Sequence, residues 1–413
     1  MRDFLAKKIV EMPSSGIRKF FDIVTEMPDA ISLGVGEPDF DTPWPIREEA
    51  IRAIKAGKTF YTANAGLSEL RKAVCDYTAR KIGVSYAPAT ECFISVGGSE
   101  AIDLAFRATL EEGDEVIIPQ PCFVSYEPCV KMAGGVPVTI ALKEENAFRL
   151  QPEELEAAIT PRTKALFISY PNNPTGAIME KEDLEKLVPI ILEHDLLVIT
   201  DEIYSELTYG GKNHFSIAAL PGIKERCIYV NGFSKAFAMT GWRLGYAMAP
   251  AAIMHEMIKI HQYCIMSSPT ISQYAAVYAM TDGDAETQMM RQAYDRRRKY
   301  LMRRFSDMDI PCFEPKGAFY IFPNIQEFGM TSEEFALELL QRKKVAVVPG
   351  SAFGCCGEGF LRISYAYSLD DLRVAFDRIE EFIRELRKEQ AYPSKMLPVP
   401  HGTGSISFYE ITA

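Results

Sequence analysis

Residues 234–246 read Ser-Lys-Ala-Phe-Ala-Met-Thr-Gly-Trp-Arg-Leu-Gly-Tyr. The stretch follows the apolar run Ile228-Tyr229-Val230, so Lys235 stands just past a strand-like segment, with Arg243 eight residues later. A lysine placed there can condense with an aldehyde, and an arginine near it can hold a dianionic phosphate with its planar fork. On its own the Ser-Lys pair reads as a solvated surface lysine. Its neighbours in the chain give it meaning.

Outward from that stretch, residues 90–250 alternate short apolar runs with amphipathic segments. Runs 92–96, 116–118, 165–169, 196–200 and 228–230 are apolar on both faces, the pattern of buried strands. Helical patterns lie between them at 101–110, 152–159 and 181–193. This alternation predicts an α/β domain with a mostly parallel sheet, in which ligands sit beyond the carboxyl ends of the strands. From residue 285 onward the character changes. The run Arg296-Arg297-Arg298-Lys299 is read as opening a charged amphipathic helix. Strand-like segments follow at 317–322 and 360–364, then a helix from 370 to 390, giving a smaller α+β domain. Residues 391–413, rich in Pro, Gly and Ser, are expected to form a loose tail.

The 413 residues carry a formal net charge of -11, which disfavours a nucleic-acid surface. No stretch has membrane-spanning length, since Glu193, His194 and Asp195 interrupt the most apolar one. The N-terminus lacks a signal-peptide core, and nine scattered cysteines without paired CxxC spacing fit free thiols in a reducing cytoplasm. Five histidines without ligand spacing predict no metal site.

Polar residues close each predicted strand. Run 92–96 leads into Gly97-Gly98-Ser99-Glu100, a turn whose free N–H groups at a helix start attract an anion. Run 165–169 leads through Tyr170 to Pro171-Asn172-Asn173-Pro174-Thr175-Gly176, by itself an ordinary proline turn, or a loop that holds the Asn173 amide rigidly. Run 196–200 ends in Asp201-Glu202-Ile203-Tyr204. A carboxylate there can pair with a protonated pyridine nitrogen, or form a solvated acidic pair at a helix start. Arg362, in Phe360-Leu361-Arg362-Ile363-Ser364, is expected to share one strand face with Phe360 and Ser364 and either clamp a carboxylate or form a structural salt bridge.

In this order, Gly-Gly-Ser, Asn-Pro-Thr-Gly, Asp-Glu-Ile-Tyr, the 234–243 stretch and Leu-Arg-Ile-Ser-Tyr-Ala resemble the pyridoxal-phosphate (PLP) aminotransferases of fold type I. More narrowly, the chain is similar to the class I/II group that holds the aspartate and aromatic amino-acid enzymes. The resemblance covers about residues 10–390 and includes Ser32 to Phe40, Tyr61-Thr62, Gly66-Leu67, Lys316 to Tyr320 and Val347 to Ser351. It implies a large PLP domain over 46–284 with a seven-stranded type of sheet, and a small domain from 1–45 and 285–390. It further implies that Lys235 forms the aldimine with PLP and that Asp201 pairs with the pyridine nitrogen. Asn173 and Tyr204 would hold the ring's phenolic oxygen. Gly98, Ser99, Ser234 and Arg243 would bind the phosphate, and Phe123 would stack on the ring. Arg362, with the Gly36 backbone and Asn173 nearby, would take the substrate α-carboxylate. Tyr61 would reach in from the partner subunit of a homodimer.

The implied reaction moves an amino group from an L-amino acid to a 2-oxo acid such as 2-oxoglutarate, with ping-pong kinetics in amino-acid metabolism. Ser99 stands where aspartate-preferring relatives often carry a lysine for the side-chain carboxylate. With Phe20, Phe21, Phe123 and Tyr320, this favours aromatic or broad donors over aspartate. A β-C–S lyase sharing the fold and an effector-binding module are the competing readings. The acidic charge and the shortness of residues 1–30 weigh against the second.

Overall fold

The computed structural model describes residues 4–14, 16–17, 27 and 29–391. Its centre is a seven-stranded sheet built from β1 (Cys92–Ser95), β2 (Glu115–Gln120), β3 (Val136–Ala141), β4 (Thr163–Ser169), β5 (Leu197–Asp201), β6 (Cys227–Gly232) and β7 (Gly245–Met248). The spatial order is β1-β7-β6-β5-β4-β2-β3, and all pairings are parallel except those of β7 with its two neighbours. Strands β1, β2, β6 and β7 are buried along their whole length because helices cover both faces. Phe93, Phe106, Phe167 and Ile199 fill the layer on one side, and Leu166, Leu187, Val198 and Phe237 belong to the layer on the other.

Two strands depart from the sequence reading. β3 is an edge strand, half exposed and carrying Pro137, so it lacks the fully apolar signature. β7 follows Arg243 at once and returns antiparallel between β1 and β6, with Tyr246 beside both Asn231 and Ile94. The charged helix also begins earlier than expected. It runs Asp284–Asp307, and Arg296 to Lys299 lie in its middle. Arg297 and Arg298 turn inward there. Arg297 makes a bidentate pair with Asp39 at 2.7 and 2.8 Å, and Arg298 bonds Asp295 and Glu314.

A second apolar layer surrounds an antiparallel sheet of Tyr320–Ile321, Leu361–Ser364 and Val348–Pro349. The helix Leu369–Ala391 closes it with Leu372, Ala375, Phe376, Ile379, Phe382, Ile383 and Leu386, the three-four spacing of an amphipathic face. The strand Ile31–Ser32 pairs in parallel with Val345–Ala346, and the Ser364 N–H donates to the Leu33 carbonyl at 2.8 Å. Residues 33–40 are thereby drawn across to the ends of the large sheet. The 391–413 segment lies outside the described residues except for Ala391, which ends the last helix. All nine cysteines are free. Among the described residues no helix is long and apolar enough to cross a membrane.

Candidate active site

The carboxyl ends of β1, β2, β4, β5 and β6 open on one edge of the sheet, and the loops leaving them line a shared cavity of about 320 Å³. Asp201 ends β5 and is buried. Its Oδ2 accepts the Tyr126 hydroxyl at 2.8 Å, and its Oδ1 accepts the Ile203 N–H at 3.1 Å. Burial pushes the carboxyl up to about 6, while the hydrogen bonds from Tyr126 and Ile203 hold it back. The solvated acidic pair does not form: Glu202 is buried too, bonded to Thr200, Ser216 and His214.

Lys235 follows β6, two residues past the tightly packed Phe233. Its Nζ donates to the Gly36 carbonyl at 2.5 Å. Part of the side chain opens on the cavity, yet the ammonium sits deep enough that loss of hydration brings it down to about 8. Glu37 pulls in the opposite direction, Arg362 and Arg243 add to the lowering, and Asp201 opposes it. An amine so placed loses its proton far more readily than a surface lysine.

The turn after β1 is built on Gly97, whose φ of +79 favours glycine and where a Cβ would stand 2.6 Å from Arg243 Nη2. Turn and arginine are thus in direct contact. Arg243 is itself held in the left-handed region at φ 52, its Nη1 bonded to the Thr240 carbonyl at 3.1 Å. Among the described residues it has no carboxylate partner. With Ser99 at the start of the helix Gly98–Thr109 and the buried Ser234 opposite, the donor set suits a dianion.

The loop after β4 is folded by Asn172, whose Oδ1 accepts from both the Thr175 N–H at 3.1 Å and the Thr175 hydroxyl at 2.8 Å. That leaves Asn173 to the cavity. Its Oδ1 accepts Arg362 Nη1 at 3.0 Å, so its NH₂ is the group free to donate inward. Arg362 is only 2% exposed. Its Nη2 donates to the Gly34 carbonyl at 2.5 Å, its Nε has no hydrogen-bond partner, and no carboxylate among the described residues faces it. The guanidinium rests instead on the rings of Tyr320 and Phe353. Arg362 and Ser364 fall on one face of the strand Leu361–Ser364, as expected, and the opposite face is buried as well.

The cavity therefore brings together Gly36, Gly98, Ser99, Phe123, Asn173, Asp201, Tyr204, Ser234, Lys235, Arg243 and Arg362. Tyr61 is not among them; it lies 80% exposed on the surface. Phe20 and Phe21 fall outside the described residues. Sequence reading assigned no site role to Tyr126, Ile17, Ile102, Ile203 or Thr240, all in the lining, and none but a possible donor contact to Tyr320. The signal for Tyr126 was its place three residues after Phe123 on the short helix Tyr126–Met132, which turns its hydroxyl towards the end of β5.

The family model described as aminotransferase class I and II matches residues 28–379. An aspartate aminotransferase of Pyrococcus abyssi is 49% identical over 373 residues, covering 90% of this chain and 96% of that one. Aromatic-amino-acid aminotransferase 2 of Thermococcus litoralis is 45% identical over 383 residues, 92% of this chain and 98% of the relative. Among solved structures, an aromatic aminotransferase from Pyrococcus horikoshii OT3 aligns with TM-score 0.86 and 46% identity, over 89% of this chain and 99% of that one.

Proposed function

The chain belongs to the class I and II aminotransferases, and from that premise we propose that it takes an amino group from an aromatic or broad range of L-amino acids and passes it to a 2-oxo acid such as 2-oxoglutarate, with PLP held at Lys235. The observation that carries this reading is Arg362. A buried guanidinium without an acid partner is costly unless a ligand supplies the opposite charge. Its unpartnered Nε and planar fork suit a carboxylate, the one group that every amino acid and 2-oxo acid shares.

The remaining groups fit PLP. Arg243, Ser234, Ser99 and the Gly97–Gly98 turn offer donors for its phosphate. Phe123 offers a ring face. The buried Asp201 offers a carboxylate for the pyridine nitrogen, and Asn173 NH₂ and the Tyr204 hydroxyl offer donors for the phenolic oxygen. When bound, PLP supplies the aldehyde that receives the amino group and the ring that stores the electron pair.

The protein's share is placement and proton handling. Lys235 Nζ, brought down to about 8, can give up and retake a proton near neutral pH. The Gly36 carbonyl holds Nζ in the cavity that Arg362 and Asn173 also line, where they would take the substrate carboxylate. Tyr126 keeps Asp201 turned towards the cavity and lets it stay charged once a cationic partner arrives.

The substrate side chain is left with the apolar Ile17, Ile102 and Ile203. If Lys235 and Arg243 serve the cofactor and Arg362 the α-carboxylate, no further lysine, arginine or histidine of the described lining remains for a second carboxylate. This supports apolar donors over aspartate. A panel of amino donors, assayed with and without 2-oxoglutarate, should give higher kcat/KM for phenylalanine and tyrosine than for aspartate. Aspartate leading by ten-fold overturns the preference. Pyruvate and ammonia released without an acceptor would indicate lyase chemistry instead.

A homodimer is part of the proposal. Tyr61 and Phe60 are 80% and 81% exposed, beside an apolar surface segment with Tyr263, Ile265 and Met266. The two segments are tied together: Asn64 Nδ2 donates to the Met266 carbonyl and Thr270 Oγ1 to the Phe60 carbonyl, both at 2.7 Å. A second copy seated here would cover these rings and bring Tyr61 to the neighbouring cavity.

A further inference from the structure

We propose that Tyr320 is a positioning residue with two separable jobs: its ring holds the Arg362 guanidinium for the substrate carboxylate, and its hydroxyl holds Tyr204 for the cofactor. The inference rests on the aminotransferase reading above and assigns a device to that site.

Tyr320 lies on the strand Tyr320–Ile321, paired antiparallel with Leu361–Ser364 in the register Ser364↔Tyr320. It is 1% exposed, so its rotamer is set by packing, not by solvent. Arg362 Cζ sits 4.6 Å from the Tyr320 ring centroid, slightly nearer than to Phe353. An acidic neighbour would also hold the guanidinium, but it would neutralise the charge that a carboxylate ligand must meet. An aromatic face steadies the cation through its quadrupole and leaves the N–H fork unspent. Ring stacking explains how a buried arginine persists here with only Asn173 Oδ1 and the Gly34 carbonyl as hydrogen-bond partners.

The hydroxyl does different work. It stands 2.8 Å from the Tyr204 hydroxyl. It also fills the space in front of Gly36, where a Cβ would collide with it. Each phenol carries one proton. If Tyr204 donates to the cofactor's phenolic oxygen, Tyr320 must be the donor between the two tyrosines. The order is then Tyr320 to Tyr204 to cofactor, and each donor polarises the next. The Gly36 carbonyl also accepts Lys235 Nζ, so one hydroxyl packs against both Tyr204 and the 33–40 segment that carries Gly36.

The test compares the PLP-loaded protein with its Tyr320→Phe and Tyr320→Met variants by two readouts. One is the pH titration of the cofactor's visible absorbance. The other is binding of 3-phenylpropionate, a carboxylate without an amine, followed by the same absorbance. Tyr320→Phe should raise the midpoint of the absorbance titration by about half a pH unit, because a weakened donor chain stabilises the charged phenolic oxygen less. Its affinity for 3-phenylpropionate should stay within two-fold. Tyr320→Met should move the titration similarly and also weaken 3-phenylpropionate by about ten-fold, as expected for a lost buried cation–π contact. Equal losses of ligand affinity in both variants, or an unmoved titration in Tyr320→Phe, overturn the proposal. Should the methionine variant fail to fold, the phenylalanine variant decides alone by the same criteria. Failure of the wild-type protein to take up PLP would instead defeat the functional reading itself.

Discussion

Asp201 and Lys235 are each held in an environment that disfavours their charged form when they stand without a ligand. For Asp201, burial raises the carboxyl from 3.8 to about 6. A raised folded value contributes stability that is fully present below the unfolded value and lost as pH rises through the folded one. In the cofactor-free protein the ionised Asp201 therefore costs stability at neutral pH. Two pH units correspond to about 3 kcal/mol. Asp201→Asn keeps an oxygen for the Tyr126 hydroxyl and removes the charge. Urea denaturation of the stripped proteins should find the asparagine variant more stable by about 2 kcal/mol at pH 8, with the difference fading below pH 4. Equal stability, or a more stable wild type at pH 8, would show that the carboxylate is satisfied by the protein alone.

At the level of elements, strands β1, β2, β4, β5 and β6 were legible because helices cover both their faces, so their sequences are unbroken apolar runs. The polar residues ending those runs, Asp201, Asn173 and the Ser234-Lys235 pair, could be read for the same reason: polarity begins where the sheet ends. β3 escaped because an edge strand has one partner and a wet flank, and Pro137 removed its remaining strand signature. β7 escaped because its Gly245 and Tyr246 had been absorbed into the motif around Arg243. The inward turn of Arg297 and Arg298 was hidden because charge normally marks a solvated face. Asp39, 258 residues away, makes the burial of Arg297 possible, and Asp295 and Glu314 together make that of Arg298 possible. Tyr126 and Tyr320 were obscured for a related reason. An aromatic residue among apolar neighbours reads as core, and the hydroxyl partners, Asp201 and Tyr204, lie 75 and 116 residues away in the chain.

For the whole molecule, one chain supplies the cavity with every described candidate residue except Tyr61, which remains on an exposed apolar surface. Light scattering should give twice the 46.3 kDa mass of the chain. Replacing Phe60 and Tyr263 together by lysine should shift the population to monomers. A monomeric wild type at micromolar concentration would remove the second copy from the site. The central claim is chemical and concerns Lys235. Borohydride reduction of the PLP-loaded protein, followed by digestion and mass spectrometry, should place the reduced cofactor on the peptide that contains Lys235, and Lys235→Ala should lose both that label and transamination. Label on another lysine, or undiminished turnover in the alanine variant, would contradict the account.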